Sequence, residues 1–241
     1  MKNILAQQFE QSRRELTAYL CRLVVRPQIA EELVQTTFLK CFEADGLPEG
    51  HAGRRAWFFK VATNLAFDEL RRHANWRETM VEELRAVAEA SPDILARSAQ
   101  LIATPETKAI AREHLLACLS CTLRNLSPHQ AAALLLKEVH DFSLEDMAVL
   151  LEASPAQAKN WLQEARAYMR SRYEKSCALI AKQGVCYQCV ELAEFFHADP
   201  TPPLPDGWDD SDARLQVARE WKEQPWGAWH TLVLHLLDDM V

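Results

Sequence analysis

Apolar side chains recur every three or four residues through much of the chain, the spacing that gathers them on one face of an α-helix. Leu144, Met147, Ala148 and Leu151 make one such stripe, Ala158, Trp161, Leu162, Ala165 and Met169 a second, and Trp57, Val61 and Leu65 a third. Alternating β-branched runs are lacking and only 6 glycines occur in 241 residues, so the pattern predicts an all-α chain. Breaks divide it into blocks. Arg26-Pro27 and the turn formers of Asp45-Gly46-Leu47-Pro48-Glu49-Gly50 leave about three helices between Asn3 and Trp76. Residues 78–110, with Ser91-Pro92 and Thr104-Pro105, read as a linker, and a second block runs from about Ala111 to Ser176.

The second block announces its helices chemically. Ser127-Pro128 with Gln130, Ser143 with Asp146, and Ser154-Pro155 with Gln157 each offer a hydroxyl to an orphan backbone N–H and a polar side chain three residues on that can reach back. Proline at the first helical position sacrifices no needed hydrogen bond. These starts predict helices over 128–139, 143–152 and 155–173. Only Glu152-Ala153-Ser154 separates the last two, which makes them a helix-turn-helix unit. Lys159, Gln163, Arg166 and Arg170 fall on another face of the last helix from its apolar stripe, so that helix is locally positive, as a reader of the DNA major groove must be.

Charge sharpens the division. The formal total of −7 lies wholly in residues 177–241, and residues 1–176 are neutral overall. Within that neutral body the stretch from Arg54 to Arg77 is positive and interleaved with Trp57, Phe58, Phe59, Phe67 and Trp76, and Asn64, Asp68, Arg71, Arg72 and Asn75 make a polar stripe. Cations beside rings suit single-stranded nucleic acid, although aromatics at helical spacing more often belong to a core. No apolar run is long enough to cross a membrane, and the amino terminus mixes Gln, Glu and Arg where a signal peptide would be apolar, so the reading is a cytoplasmic protein without membrane insertion.

Two segments carry a family resemblance. Ala30-Glu31-Glu32-Leu33-Val34-Gln35-Thr36-Thr37-Phe38-Leu39-Lys40, with Arg55-Ala56-Trp57-Phe58-Phe59-Lys60-Val61-Ala62-Thr63-Asn64-Leu65-Ala66-Phe67-Asp68-Glu69-Leu70-Arg71-Arg72, resembles region two of the sigma-70 family. Leu126-Ser127 through Asp141-Phe142-Ser143-Leu144-Glu145-Asp146-Met147-Ala148 to Ala165-Arg166 resembles region four. The pair in this order, with a short linker, is similar to the extracytoplasmic-function group of bacterial sigma factors. The resemblance implies two helical domains, residues 1–77 and 111–176, joined by 78–110, with an extension at 177–241.

It also implies roles. Glu31, Glu32 and Gln35 would dock on the bacterial RNA polymerase core. Lys60, Asn64, Asp68, Arg71 and Arg72 would hold the melted −10 element, and Gln157, Lys159, Asn160, Gln163, Arg166 and Arg170 would read the −35 duplex. No bond is made or broken by such a factor, so the chain is not an enzyme; its work is promoter-specific initiation through binding energy. An anti-sigma factor is a further candidate partner.

The extension has chemistry of its own. Cys186 and Cys189, with Cys118 and Cys121 before region four, give two C-x2-C pairs that can close a tetrahedral zinc site, with Cys177 or His197 as alternates. Buried cysteine can also be a small hydrophobe, the reading for Cys21 and Cys41. A proline-rich run, Asp199 to Gly207, leads to Trp208, Trp221, Trp226 and Trp229, which suit a docking module or a lid. An acidic extension near Arg166 and Arg170 would compete with phosphate and so modulate DNA binding. The alternative function is a stand-alone helix-turn-helix regulator that senses metal or redox state through its cysteines; the docking helix at 31–40 argues against it. A thiol oxidoreductase on Cys186 and Cys189 lacks the βαβ context.

Overall fold

The computed structural model describes residues 2–44, 46, 48–72, 119, 122–123, 125–176 and 213–224. Every regular element among them is helical: α1 (Lys2–Val24), α2 (Pro27–Glu43), α3 (Gly50–Arg72), α4 (Pro128–Leu134) running into a π-helical turn (Leu135–Val139), α5 (Leu144–Leu150), α6 (Pro155–Ser176) and α7 (Ala213–Glu220).

Helices α1, α2 and α3 pack on one another as the N-terminal domain. The breaks fall where the turn residues stand: Pro27 opens α2 at a position that needs no N–H, and Val25 before it reverses the chain at φ 57°. Phe58, Phe59, Ala62, Thr63, Ala66 and Leu70 are the buried face of α3. Trp57, Val61 and Leu65, expected from their four-residue spacing to be that face, instead flank it half-buried. Phe9 meets both Phe38 and Phe58 edge-on at 5.1 Å, and the Tyr19 hydroxyl reaches the Thr63 hydroxyl at 2.8 Å, so the core carries one satisfied polar pair. Cys21 and Cys41 are buried in this core, and burial pushes the Cys41 pKa up to about 12.

The C-terminal domain is α4 to α6, and its starts are made as the serines predict. Ser127 and Ser143 each accept from the backbone N–H three residues on, while Gln130 and Asp146 reach back to the serine N–H. Ser154 accepts from the Gln157 N–H at 3.2 Å. All three helices differ in extent: α4 passes into a π turn after Leu134 rather than continuing to 139 as α-helix, α5 stops at Leu150 rather than 152, and α6 runs to Ser176 rather than 173. Met147, Ala148 and Leu151 are buried, as are Ala158, Leu162, Ala165 and Met169. Ser127→Ala is expected to lower stability by about 1 kcal/mol, because it removes the side-chain acceptor of one N–H in the first turn of α4. A urea midpoint unchanged by that substitution would contradict the cap.

The two domains do not stand apart. Helix α3 packs on α5 and α4, α1 touches α4, and α7 lies on the π turn. The chain therefore closes its two helical units face to face, with α7 at the seam.

Candidate nucleic-acid interface

The second helix of the helix-turn-helix, α6, divides cleanly into two faces. Ala158, Leu162, Ala165 and Met169 point into the domain, and Trp161 is half-buried with its ring 4.5 Å from His129. Gln157, Lys159, Asn160, Gln163 and Arg170 are exposed on the rest of its surface. The sequence expectation holds for their exposure. Arg166 differs: it is bound to the Glu138 carboxylate, its Nε donating at 2.9 Å, so its cation is engaged by the π turn. The turn itself is tight. Glu152 takes the left-handed conformation at φ 51° without a glycine, and Ala153 N–H bonds back to the Ala148 carbonyl at 2.9 Å.

On α3 the polar stripe is present but occupied at its N-terminal half. Lys60 Nζ lies 3.2 Å from Glu152 Oε1, and Asn64 Nδ2 donates to the same oxygen at 3.4 Å. These two bonds hold the Glu152 carboxyl below the usual carboxylate range. Asp68 and Arg71 pair along the helix at 3.2 Å, both exposed, and exposed Arg72 pairs with the largely covered Glu69 at 3.1 Å. Phe58 and Phe59 are fully buried and serve packing, whereas Phe67 packs at a tilt against His129, which packs at a tilt against Trp161, each step 4.5 Å between centroids. That ladder joins the two domains. On α2, Glu31, Glu32 and Gln35 are exposed in one patch with Leu39, which is 56% exposed, opposite the buried Ala30, Leu33, Val34, Thr37 and Cys41.

A buried polar joint at the centre of the seam had no counterpart in the sequence reading. Glu15 of α1 takes a bidentate pair from Arg55 of α3, at 3.0 Å from Nε and 2.6 Å from Nη2. His140, just past the π turn, lies with Nδ1 3.0 Å from the same carboxylate. Arg55 donates further to the His140 carbonyl at 2.9 Å and lies over the Phe142 ring at 4.3 Å. Burial works against the charged Glu15, yet the hydrogen bonds from His140 and Arg55 outweigh it and hold its pKa at about 2. Burial pushes His140 down to about 4 against the pull of Glu15, with Arg22 and Arg55 adding to the depression. At neutral pH the imidazole is therefore neutral and Nδ1–H is the donor. Tyr19 and Phe59 pack their rings against it at 5.4 and 5.1 Å.

Of the thiolate set, Cys118, Cys121, Cys177, Cys186, Cys189 and His197 lie outside the described residues. Among the described residues no group of three or more ligating side chains could hold a metal, and no helix is long and apolar enough to cross a membrane.

Paired helical domains, one presenting a capped helix-turn-helix with an open polar face, the other a basic and aromatic helix, place the chain among helix-turn-helix proteins. Residues 8–76 match the family model for sigma-70 region 2, and residues 116–169 match that for sigma-70, region 4. The ECF RNA polymerase sigma factor SigG of Mycobacterium tuberculosis is 31% identical over 180 residues, covering 67% of this chain. CarQ of Myxococcus xanthus, an RNA polymerase sigma factor, is 30% identical over 156 residues, 64% of this chain and 79% of CarQ. YlaC of Bacillus subtilis, also an RNA polymerase sigma factor, is 23% identical over 168 residues, 91% of its length. The chain belongs to the sigma-70 family, in its extracytoplasmic-function group. It spans about half of SigG, 46% of that protein's length.

Proposed function

We propose that the chain is a promoter-recognition subunit: it binds the bacterial RNA polymerase core through the α2 patch of Glu31, Glu32 and Gln35, holds a melted −10 strand on α3, and reads a −35 duplex with α6. The observation that carries this reading is the α6 surface, where Gln157, Lys159, Asn160, Gln163 and Arg170 are all solvent-exposed while the opposite face is the domain's core. Amide and cationic groups on one open helix face can bond base edges and phosphates together. Its joining, in one chain, to a second matched sigma region supports initiation over simple repression.

The test is initiation itself. Core polymerase with this chain is expected to start transcripts from a discrete subset of a randomised template pool, and core alone is not. Replacing Lys159 and Arg170 together by Ala should weaken selected duplexes about tenfold and flatten the salt dependence of binding, with core association unchanged. Duplex binding without any initiation would instead favour the stand-alone regulator.

A further inference from the structure

The short helix α7 and the turn after it touch both domains at once. Leu215, Val217 and Ala218 are buried, and Trp221 is half-buried against the core. On the N-terminal domain the anchor is Arg22, which is 1% exposed. Its Nη2 donates to the carbonyls of Trp221 at 2.8 Å and Gln224 at 2.9 Å, while Nε and Nη1 find no acceptor among the described residues. A buried guanidinium thus draws its hydrogen bonds from the turn that follows α7, near the negative end of the helix dipole. Lys222 adds a contact to Glu15 at 3.6 Å. On the C-terminal domain the anchor is Arg219: it donates to the Glu138 carbonyl at 2.7 Å, approaches the Glu138 carboxylate at 3.4 Å and lies 3.7 Å from Asp141.

One segment seated on two bodies, and tethered to one of them by the chain, binds with the advantage of high effective concentration. Its individual ion pairs are half-exposed and worth little singly. Arg22 is different. With α7 and its following turn gone, the cation loses both of its acceptors among the described residues, and a buried cation without partners is costly.

The closed state that α7 holds is the one in which Glu152, from the turn of the helix-turn-helix, sits on Lys60 and Asn64. A carboxylate there occupies the cation and amide that a nucleic-acid strand would use. We propose that Ala213–Gln224 is an autoinhibitory strap, which clamps the two domains shut with Glu152 in place of the −10 strand on α3, and whose release frees the strand-binding face. This rests on the assignment of α3 to nucleic acid in the function proposed above.

The experiment uses the full chain with Arg219→Glu and Lys222→Glu, which set like charges against Glu138, Asp141 and Glu15. Solution scattering is expected to report a larger radius of gyration for the variant, and a fluorescent single-stranded oligonucleotide to bind it about tenfold more tightly than the parent, a difference of about 1.4 kcal/mol. The double substitution makes the protein more acidic, so simple electrostatics would weaken DNA binding; a gain can come only from exposing the site. Glu152→Gln, which leaves the strap untouched, is expected to gain two- to threefold with no change in radius. Unchanged DNA binding in both variants overturns the strap, whether or not the radius grows. If the parent and both variants bind neither single strand nor core polymerase, the proposed function itself fails and the strap with it; if core polymerase binds all three equally and only the oligonucleotide results are flat, the strap alone is lost.

Discussion

Phe58→Ala is expected to destabilise the N-terminal domain by about 3–5 kcal/mol, the range for emptying a fully enclosed aromatic site. Phe58 has no exposed surface, and its ring meets Phe9 edge-on at 5.1 Å, with Phe38 the same distance beyond Phe9. All three helices of the domain contribute to that stack, so none can collapse into the cavity without pulling away from the other two. Set against the roughly 5–15 kcal/mol that holds a typical domain folded, the loss removes a large share of the total. The urea midpoint should fall with little change in slope, and Val149→Ala, at a side chain 66% exposed, should shift it by no more than about 0.5 kcal/mol. Similar midpoints for the two variants would displace Phe58 from the centre of the core. Function should follow stability here, since unfolding α3 removes Lys60 and Asn64 as well.

The second large effect is acid opening of the seam. In an open chain His140 would titrate near 6.5 and in the closed chain it holds out to about 4, whereas Glu15 keeps its Arg55 pair inside the N-terminal domain in either state. At any pH between those values the open state binds more protons, so closure is strongest above about 6.5 and weakens as the pH falls. The His140 contribution is lost between about 6.5 and 4. At about 1.4 kcal/mol for each pH unit, His140 alone withdraws about 3 kcal/mol from the closed state by pH 4. His129, in the Phe67 and Trp161 ladder, acts in the same sense, since burial and Arg71 both depress its pKa. The groups facing His140 are Glu15 and Arg22 of α1 and Arg55 of α3, with Lys222 of the strap on Glu15. The radius of gyration should therefore rise between pH 7 and 4.5, and His140→Gln, which cannot charge, should flatten most of that rise. A parent radius constant over the range, or an identical curve for the variant, would remove His140 from the joint.

Acidification and strap release converge on the same face of α3. The first charges a group at the seam, and the second removes the segment that spans it. Neither touches the exposed face of α6, so −35 duplex contacts should vary less with either than single-strand binding does.

The extension illustrates how far net charge can guide and where it stops. Its acidic total suggests that it should lie on the bases of α6, as a rival of phosphate. Among the described residues the contacts run the other way: its bases, Arg219 and Lys222, lie on Glu138, Asp141 and Glu15 of the body. Arg166 is engaged by the body's own Glu138. A sum over 65 residues says nothing about which few of them are placed at a surface.

The helices, their starts and the tight turn before α6 were legible in the sequence because each is fixed by residues three or four apart. Ser127 and Gln130, Ser143 and Asp146, and the stripes of α5 and α6 need no distant partner to have their effect. The family-bearing segments are local in the same way, and so was the expectation that α6 shows one polar face. Tertiary structure alone decided the rest. Glu15, Arg55 and His140 meet across separations of 40 to 125 residues, and Arg22 finds its acceptors about 200 residues away. The apolar stripes of α3, α4 and α5 would be satisfied by more than one relative placement of the domains. Only the packed arrangement, in which buried charges must find partners or go unsatisfied, selects the closure that sets Glu152 on Lys60 and Asn64.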